Sequence, residues 1–301
     1  MNKRILITGI TGFTGRYAAR NFIESGYEVY GLSHSSSHTI EGVTQICAVS
    51  LSDYDSVKQA IDSIKPNYVI HLAAISFVAH SNIHEIYETN VIGTRNLLEA
   101  LKNSTVVPES VIVASSANVY GNNASGQPLS ELTPFAPVND YAVTKVSCEY
   151  VCAIYSDIFP IIITRPFNYT GVFQANNFLV PKIIQAAKTK QSVIELGNLD
   201  ISRDFSDVRD VANFYFELIQ NKTNGLSIFN ICSGQAHSLQ DILEYAQQAA
   251  NHRFDEVKVN PAFVRSNEIK LLLGDPSLLN KHLLNPKRHT LIETIEWMMK
   301  S

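Results

Sequence analysis

The sequence predicts an α/β protein: a doubly wound parallel sheet followed by a smaller C-terminal α/β unit. Three observations predict it. Short apolar runs alternate with stretches of helical spacing through the first two-thirds of the 301 residues. Those runs are apolar throughout rather than at every second position, as expected of strands covered by helices on both faces. A glycine-rich turn, Gly9-Ile-Thr-Gly12-Phe-Thr-Gly15, joins the first run to the first helix.

Taken in order, Arg4–Thr8 is a short apolar run that ends in Gly9, and Phe13–Ser25 has helical spacing and stops before Gly26. Tyr27–Leu32 is the next strand. Asp53–Ile64 forms a helix that ends before Pro66. Tyr68–Leu72 is a strand, Ile83–Lys102 a long helix and Ser110–Ser115 a strand. Asn139–Ser156 is a helix, and Ile161–Thr164 a β-branched strand before Arg165-Pro166. Strands alternating with helices imply right-handed βαβ crossovers. After Pro166 the pattern loosens. Asn176–Lys190 and Val208–Gln220 have helical spacing, and Ser227–Ile231 is a strand. Ser238 can cap a helix running to about Asn251. Lys270–Leu273, a short Asp275–His282 helix and a final Leu291–Lys300 helix complete the pattern.

Composition narrows the function. With 45% apolar and 17% charged residues the chain is an ordinary globular protein. A net charge of −4 provides no footprint for nucleic acid or anionic lipid. Cys47, Cys148, Cys152 and Cys232 form no C-x-x-C pair, so neither a zinc site nor a disulfide framework is expected, and no metal is assigned. A reduced, cytoplasmic compartment fits. The N-terminal Met1-Asn-Lys-Arg-Ile-Leu-Ile leads straight into a strand, and no apolar run approaches ~18 residues. Neither export nor a membrane span is therefore expected.

The glycine turn points to a dinucleotide. Glycines allow a tight turn and close backbone approach to a pyrophosphate, and the helix N-terminus offers free N–H groups. In such Rossmann units strand two usually ends in an acid that holds the ribose 2′-hydroxyl. Here it ends Gly31-Leu-Ser33-His34-Ser35, with no carboxylate. That end accommodates a 2′-phosphate and favours NADP(H), while NAD(H) stays open; Arg16 is the nearest cation.

Tyr141 and Lys145 stand four apart in Asp140-Tyr-Ala-Val-Thr-Lys145. On a helix they share one face. A nearby ammonium favours a phenolate, which allows proton exchange with a substrate oxygen.

These features together resemble an extended short-chain dehydrogenase/reductase of the nucleotide-sugar epimerase/dehydratase group. The resemblance rests on the glycine turn, His71-Leu-Ala-Ala74, Asn90-Val-Ile-Gly-Thr94, Ser115-Ser-Ala-Asn-Val-Tyr-Gly121, the Tyr141/Lys145 pair and Arg165-Pro-Phe-Asn168, all in the family's order. It implies a dinucleotide-binding domain over residues 1–166 and about 207–232. A nucleotide-sugar-binding domain over 167–206 and 233–301 is also implied. Catalytic roles fall to Ser116 on the substrate oxygen, Tyr141 as acid/base and Lys145 on the nicotinamide ribose. Cofactor contacts are implied at Gly9, Thr11, Gly12, Phe13, Thr14, Gly15, Arg16, Leu72, Ala73, Ala74, Asn90 and Phe167, besides Tyr141 and Lys145. They extend to Leu51, where the family usually has an aspartate contacting adenine. The family also implies a homodimer through helices 83–102 and 139–156, whose Leu97, Leu98, Val151 and Ile154 could equally face the sheet.

The group divides by chemistry. A 4,6-dehydratase needs extra carboxylate chemistry near the sugar, and the family places Glu or Asp-Glu just after the catalytic hydroxyl. This chain has Ala117-Asn118 there. Arg203-Asp-Phe-Ser-Asp-Val-Arg-Asp-Val211 resembles the block that holds GDP-sugars. Arg265-Ser-Asn-Glu268 resembles the ribose and phosphate clamp of GDP-4-keto-6-deoxymannose reductases. Asn168, Asn177 and Lys182 resemble positions lining the diphosphate pocket, and guanidinium forks at Arg203 and Arg265 suit a diphosphate. Ser76, Phe77, His80, Asn118 and Tyr169 are expected near the sugar. The expected activity is NAD(P)H-dependent reduction of the C4 ketone of a nucleotide-linked 4-keto-6-deoxy sugar, GDP-linked by preference. A nucleotide-sugar 4-epimerase is the alternative, ahead of a dehydratase or a non-catalytic cofactor sensor.

Overall fold

A computed structural model describes residues 3–34, 39–76, 82–122, 126–221, 224–264, 269–284, 286 and 288–301. The first half consists of β1 (Arg4–Thr8), α1 (Phe13–Glu24), β2 (Glu28–Ser33), β3 (Gln45–Ala48), α2 (Tyr54–Ile64) and β4 (Tyr68–His71). Next come α3 (Ile83–Tyr87), a π-helical turn at Glu88–Ile92, α4 (Gly93–Lys102), β5 (Ser110–Ala114), α5 (Asp140–Tyr155) and β6 (Ile161–Pro166). The second half contains β7 (Asn168–Thr170), α6 (Leu179–Lys188), β8 (Val193–Leu196), β9 (Ser202–Asp207), α7 (Val208–Gln220) and β10 (Leu226–Ile231). It ends with β11 (Ala236–Ser238), α8 (Leu239–Ala250), β12 (Glu256–Val259), β13 (Leu271–Leu272), α9 (Ser277–His282) and α10 (Leu291–Lys300).

Seven strands form one parallel sheet in the order β3-β2-β1-β4-β5-β6-β10. The order reverses beside β1, so the chain leaves β1 and β4 in opposite directions. A crevice opens between them at the C-terminal strand ends. Each sheet face is sealed by its own apolar cluster. On one, Ile5, Ile7 and Ile70 pack with Phe22 of α1 and Phe214 and Leu218 of α7. On the other, Leu6, Val69 and Val111 pack with Ile61 of α2, Leu97 and Leu98 of α4 and Cys152 of α5. Leu97 and Leu98 therefore face the sheet. Tyr150 and Ile154 on the far side of α5 are 65% and 72% exposed.

A smaller sheet, in which β9 pairs with β7, β11 and β13, lies beside a third apolar cluster of α6, α8 and α10. Ser238 and Thr290 close capping boxes at the starts of α8 and α10. Among the described residues no helix is long and apolar enough to cross a membrane.

One helix and several strands differ from the sequence expectation. The long helix of residues 83–102 is broken by the π turn, which no hydrophobic period announces. Strands β3, β7, β8, β9, β11 and β12 were not expected. β9 reads Ser-Arg-Asp-Phe-Ser-Asp, and Arg203, Asp204 and Asp207 are buried with partners rather than alternating with apolar residues. Asp204, for example, accepts hydrogen bonds from the backbone N–H groups of Ser233, Gly234 and Gly274 and from the Ser233 hydroxyl.

One buried ion pair ties the end of the large sheet together. Arg165 donates from Nε and Nη2 to Glu149 at 2.9 and 2.7 Å, with both side chains at most 5% exposed. Its Nη1 reaches Tyr120 Oη and the Glu131 carbonyl, each at 3.0 Å. Removing one partner strands the other charge in the core. Glu149→Ala should therefore lower the unfolding free energy by about 3–5 kcal/mol in denaturant titration.

Candidate active site

A cleft of about 1320 Å³ runs along the C-terminal edge of the parallel sheet and continues past β7 and β9 toward residues 261–264. Its first wall is the glycine turn. Gly9 has φ +68°, and a Cβ there would come within 2.9 Å of the Ala73 nitrogen. A Cβ on Gly15 would meet the Gly9 carbonyl oxygen at 2.4 Å. Gly12 caps α1 with extended backbone and no side-chain hydrogen bond, so the first N–H groups of the helix face the cleft uncovered by a cap. The turn thus has the bare backbone and helix end that a pyrophosphate requires.

The second wall is α5, whose side chains meet the end of β5 at one-turn intervals. Lys145 Nζ donates to the Ala114 carbonyl at 2.7 Å and lies 5.9 Å from the centre of the Tyr141 ring. Ser116, just beyond β5, accepts from the backbone N–H and the Nδ2 of Asn118 at 3.2 and 3.1 Å. Ser116, Tyr141 and Lys145 are all buried at the cleft floor.

Burial governs the titration of this group. It raises the Tyr141 phenol to about 12, and the hydrogen bond with Ser116 pulls only partly the other way. Burial also lowers the Lys145 pKa. The expectation that Lys145 brings the phenol toward neutrality is not met in the protein without ligand: loss of solvent is the largest effect on the phenol. The site holds a protonated phenol, a proton donor at neutral pH.

A buried hydrogen-bond chain fixes these walls relative to each other. The Ala73 N–H donates to Thr8 Oγ1 at 3.1 Å, and Thr8 Oγ1 lies 2.7 Å from His71 Nδ1. His71 Nε2 is 2.9 Å from Thr94 Oγ1, which donates its own proton to the Asn90 carbonyl at 2.5 Å. His71 therefore carries its proton on Nε2. Burial, aided by the Lys145 charge, lowers its pKa to about 3 and keeps it neutral. The Asn90 side chain, set in the π turn, exchanges two hydrogen bonds with Ile75 and donates to Thr144 at 3.1 Å.

Most sequence-derived site residues meet in this cleft. Gly9, Thr11, Gly12, Phe13, Thr14, Gly15, Leu51, Leu72, Ala73, Ala74, Ser76 and Phe167 line it with Ser116, Asn118, Tyr141 and Lys145. So do Asn168, Asn177, Lys182 and Arg203. Two do not. Asn90 is buried behind the Ile75 loop, where it acts on backbone. Arg16 is exposed on α1, and its Nε donates to the Thr11 carbonyl at 3.0 Å. Tyr169, expected near the sugar, stacks on Phe13 with centroids 5.8 Å apart and bonds to Thr14 Oγ1 at 2.8 Å. That places it against the glycine turn. Phe77, His80, Arg265 and Glu268 lie outside the described residues.

Two cleft aromatics carry no motif in the sequence: Phe173 and Phe263. Phe173 is 72% exposed with φ +71°, in a turn closed by a hydrogen bond from the Gln174 N–H to the Gly171 carbonyl. An exposed phenylalanine in a position that favours glycine was the available signal, but only the backbone reveals it.

Residues 6–298 match a family model described as GDP-mannose 4,6 dehydratase. The chain belongs to this family of NAD(P)-dependent, nucleotide-sugar-modifying enzymes, and it is an oxidoreductase of the short-chain dehydrogenase/reductase type. It is 35% identical to a GDP-6-deoxy-D-talose 4-dehydrogenase of Aggregatibacter actinomycetemcomitans over 292 residues, covering 97% of this chain and 95% of that one. A GDP-6-deoxy-D-mannose reductase of Pseudomonas aeruginosa is 29% identical, with 93% and 90% covered. Among solved structures, a protein of Burkholderia cenocepacia superposes with a TM-score of 0.91 at 39% identity, covering 99% and 97%. RMD from Pseudomonas aeruginosa, complexed with NADPH, does so with a TM-score of 0.84 at 27% identity, covering 99% and 98%.

Tyr141→Phe removes one hydroxyl from a packed site. It should leave thermal stability and NADPH binding, read by nicotinamide fluorescence, close to wild type while turnover falls at least about a hundredfold.

Proposed function

We propose that this protein reduces the C4 ketone of a nucleotide-linked 4-keto-6-deoxy sugar, with GDP-4-keto-6-deoxymannose as the preferred substrate and NADPH as the preferred donor. One observation carries the choice of reaction. The residue that touches the catalytic hydroxyl from the adjoining turn is Asn118, an amide, where a dehydratase needs a carboxylate to take a proton from carbon. The names of two relatives support redox on such a sugar, one of them at C4: a GDP-6-deoxy-D-talose 4-dehydrogenase and a GDP-6-deoxy-D-mannose reductase. Talose and mannose are C4 epimers, so redox at C4 of one shared ketone would relate the two sugars.

In this reading residues 1–166 and about 207–232 hold the dinucleotide, and residues 167–206 and 233–301 hold the sugar nucleotide. A nicotinamide bound there would supply the hydride for C4. Ser116 orients the ketone oxygen, its own oxygen held by Asn118. Tyr141 transfers its proton to the oxygen as negative charge develops there, and Lys145 stabilises the phenolate left behind. A phenol held near 12 suits this direction, because the proton to be given is present at neutral pH. Arg203 and Lys182 line the cleft, and in this reading they would face the diphosphate. A pair of subunits joined through α4 and α5 would cover Tyr150 and Ile154, which this chain alone leaves exposed.

Preference for NADPH rests on the end of β2. Thr11 Oγ1 lies 3.1 Å from Ser33 Oγ, and Arg16 is held on the Thr11 carbonyl. A 2′-phosphate at this end would meet two hydroxyls and a guanidinium. A 4-epimerase shares the same three catalytic residues and is the second reading; the first differs in consuming added cofactor.

The test is to mix purified protein with GDP- or dTDP-linked 4-keto-6-deoxy sugar and either nicotinamide cofactor. Loss of absorbance at the reduced-nicotinamide band with the GDP-linked ketone is expected, faster with NADPH. Conversion of a 4-hydroxy sugar without added cofactor, and no oxidation of NADPH by either ketone, would overturn the proposal. Arg16→Ala should raise KM for NADPH about tenfold and leave that for NADH unchanged. With the phenol at about 12, ketone reduction should lose nothing to Tyr141 ionisation between pH 7 and about 9. The reverse oxidation, which needs the phenolate, should rise with pH across the same range.

A further inference from the structure

The cleft extends well beyond the reacting groups, and its far end has a built surface of its own. The order along it follows from the strands. Asp207, at the end of β9, caps α7, which packs on the large sheet. Asn168, at the start of β7, pairs with Phe205 of β9. Arg203 lies two residues further from the large sheet. Beyond it, β8 ends at Leu196 and Gly197, which line the cleft beside residues 261–264.

At this far end Phe263 is held by a hydrogen-bonded turn. Asn260 anchors the turn that carries it: its N–H donates to the Leu196 carbonyl at 2.8 Å, and its Nδ2 donates to Glu195 at 2.7 Å. The Phe263 N–H then donates to the Asn260 carbonyl at 3.0 Å. The Phe263 carbonyl presses so closely on Gly197 that a Cβ there would meet its oxygen. One face of the ring carries the ammonium of Lys182, 3.9 Å from the centroid. Yet the residue is 47% exposed, so the rest of the ring is open to the cleft.

We infer that Phe263 is the stacking face for the nucleobase of the sugar nucleotide, and that Lys182 on its other face biases that surface toward a purine. The inference rests on the nucleotide-sugar reading and specifies which base it takes and how. A base fits a flat aromatic face with offset overlap. A cation on the opposite face draws electron density from the ring. The open face then favours an electron-rich partner, and a two-ring purine also covers more of it than a pyrimidine. The position agrees with the length of the ligand: the sugar belongs at Tyr141, the diphosphate beside Arg203 and the base at the far end.

GDP and UDP isolate the base, because they share the ribose and the diphosphate. Calorimetric titration of the full chain should show tighter binding of GDP. Phe263→Leu, checked by circular dichroism for a native fold, should weaken GDP by about five- to a hundredfold and UDP by much less, so that the preference collapses. Phe263→Trp should keep it. Lys182→Met should weaken both nucleotides and reduce their ratio. Unchanged GDP and UDP affinities in a folded Phe263→Leu protein overturn this inference and leave the nucleotide-sugar reading standing. A wild-type chain that binds neither nucleotide overturns both.

Discussion

Helix α5 is fixed to the end of β5 by three side chains spaced one turn apart, and the candidate site depends on that attachment. Tyr141 meets Ser116, Lys145 donates to the Ala114 carbonyl, and Glu149 accepts from the Ser115 hydroxyl at 2.5 Å. A helix repeats every 3.6 residues, so positions 141, 145 and 149 drift only slowly around its axis and share one face. Glu149 is in turn held by Arg165 from the next strand. The reacting phenol is thereby positioned by the sheet rather than by a loop.

The same burial that fixes these groups sets their chemistry. Where water is scarce the low-dielectric surroundings disfavour charge: the Tyr141 phenol is raised, the His71 imidazole is kept neutral, and the Lys145 pKa is lowered. The π turn adds a second level of order. Its extra residue frees the Asn90 carbonyl to accept from both Thr94 and Cys148 and turns the Asn90 amide onto the Ile75 backbone. The loop after β4, which lines the cleft, is thus held against the helix that carries Tyr141.

Much of the Rossmann half was legible in the sequence because its signals are local. Apolar runs, glycines with a required φ, and Tyr and Lys one turn apart each act within a few residues. β1 and α7 match their expected bounds residue for residue. The second sheet was not legible. Its strands are short, and β9 buries Arg203, Asp204 and Asp207 among partners distant in sequence. Asn90 was expected at the cofactor because its motif is a binding motif; only tertiary structure reveals that it binds backbone. The titration of Tyr141 is hidden from the sequence for a related reason. The pairing with Lys145 is visible at i, i+4, whereas desolvation depends on everything packed around the pair. Phe263 gave no signal at all, since one aromatic in an irregular segment is ordinary until its neighbours are known.

The central claim is that hydride from a nicotinamide ends on C4 of the sugar. Stereospecifically deuterated NADPH, labelled in turn at each C4 hydrogen of the nicotinamide, tests it directly with the GDP-linked 4-keto-6-deoxy sugar. One of the two labelled forms should transfer one deuterium per turnover to C4 of the product sugar, seen by NMR as loss of the C4 proton signal. A product with no deuterium at C4 from either form, or with the label at another carbon, would contradict it.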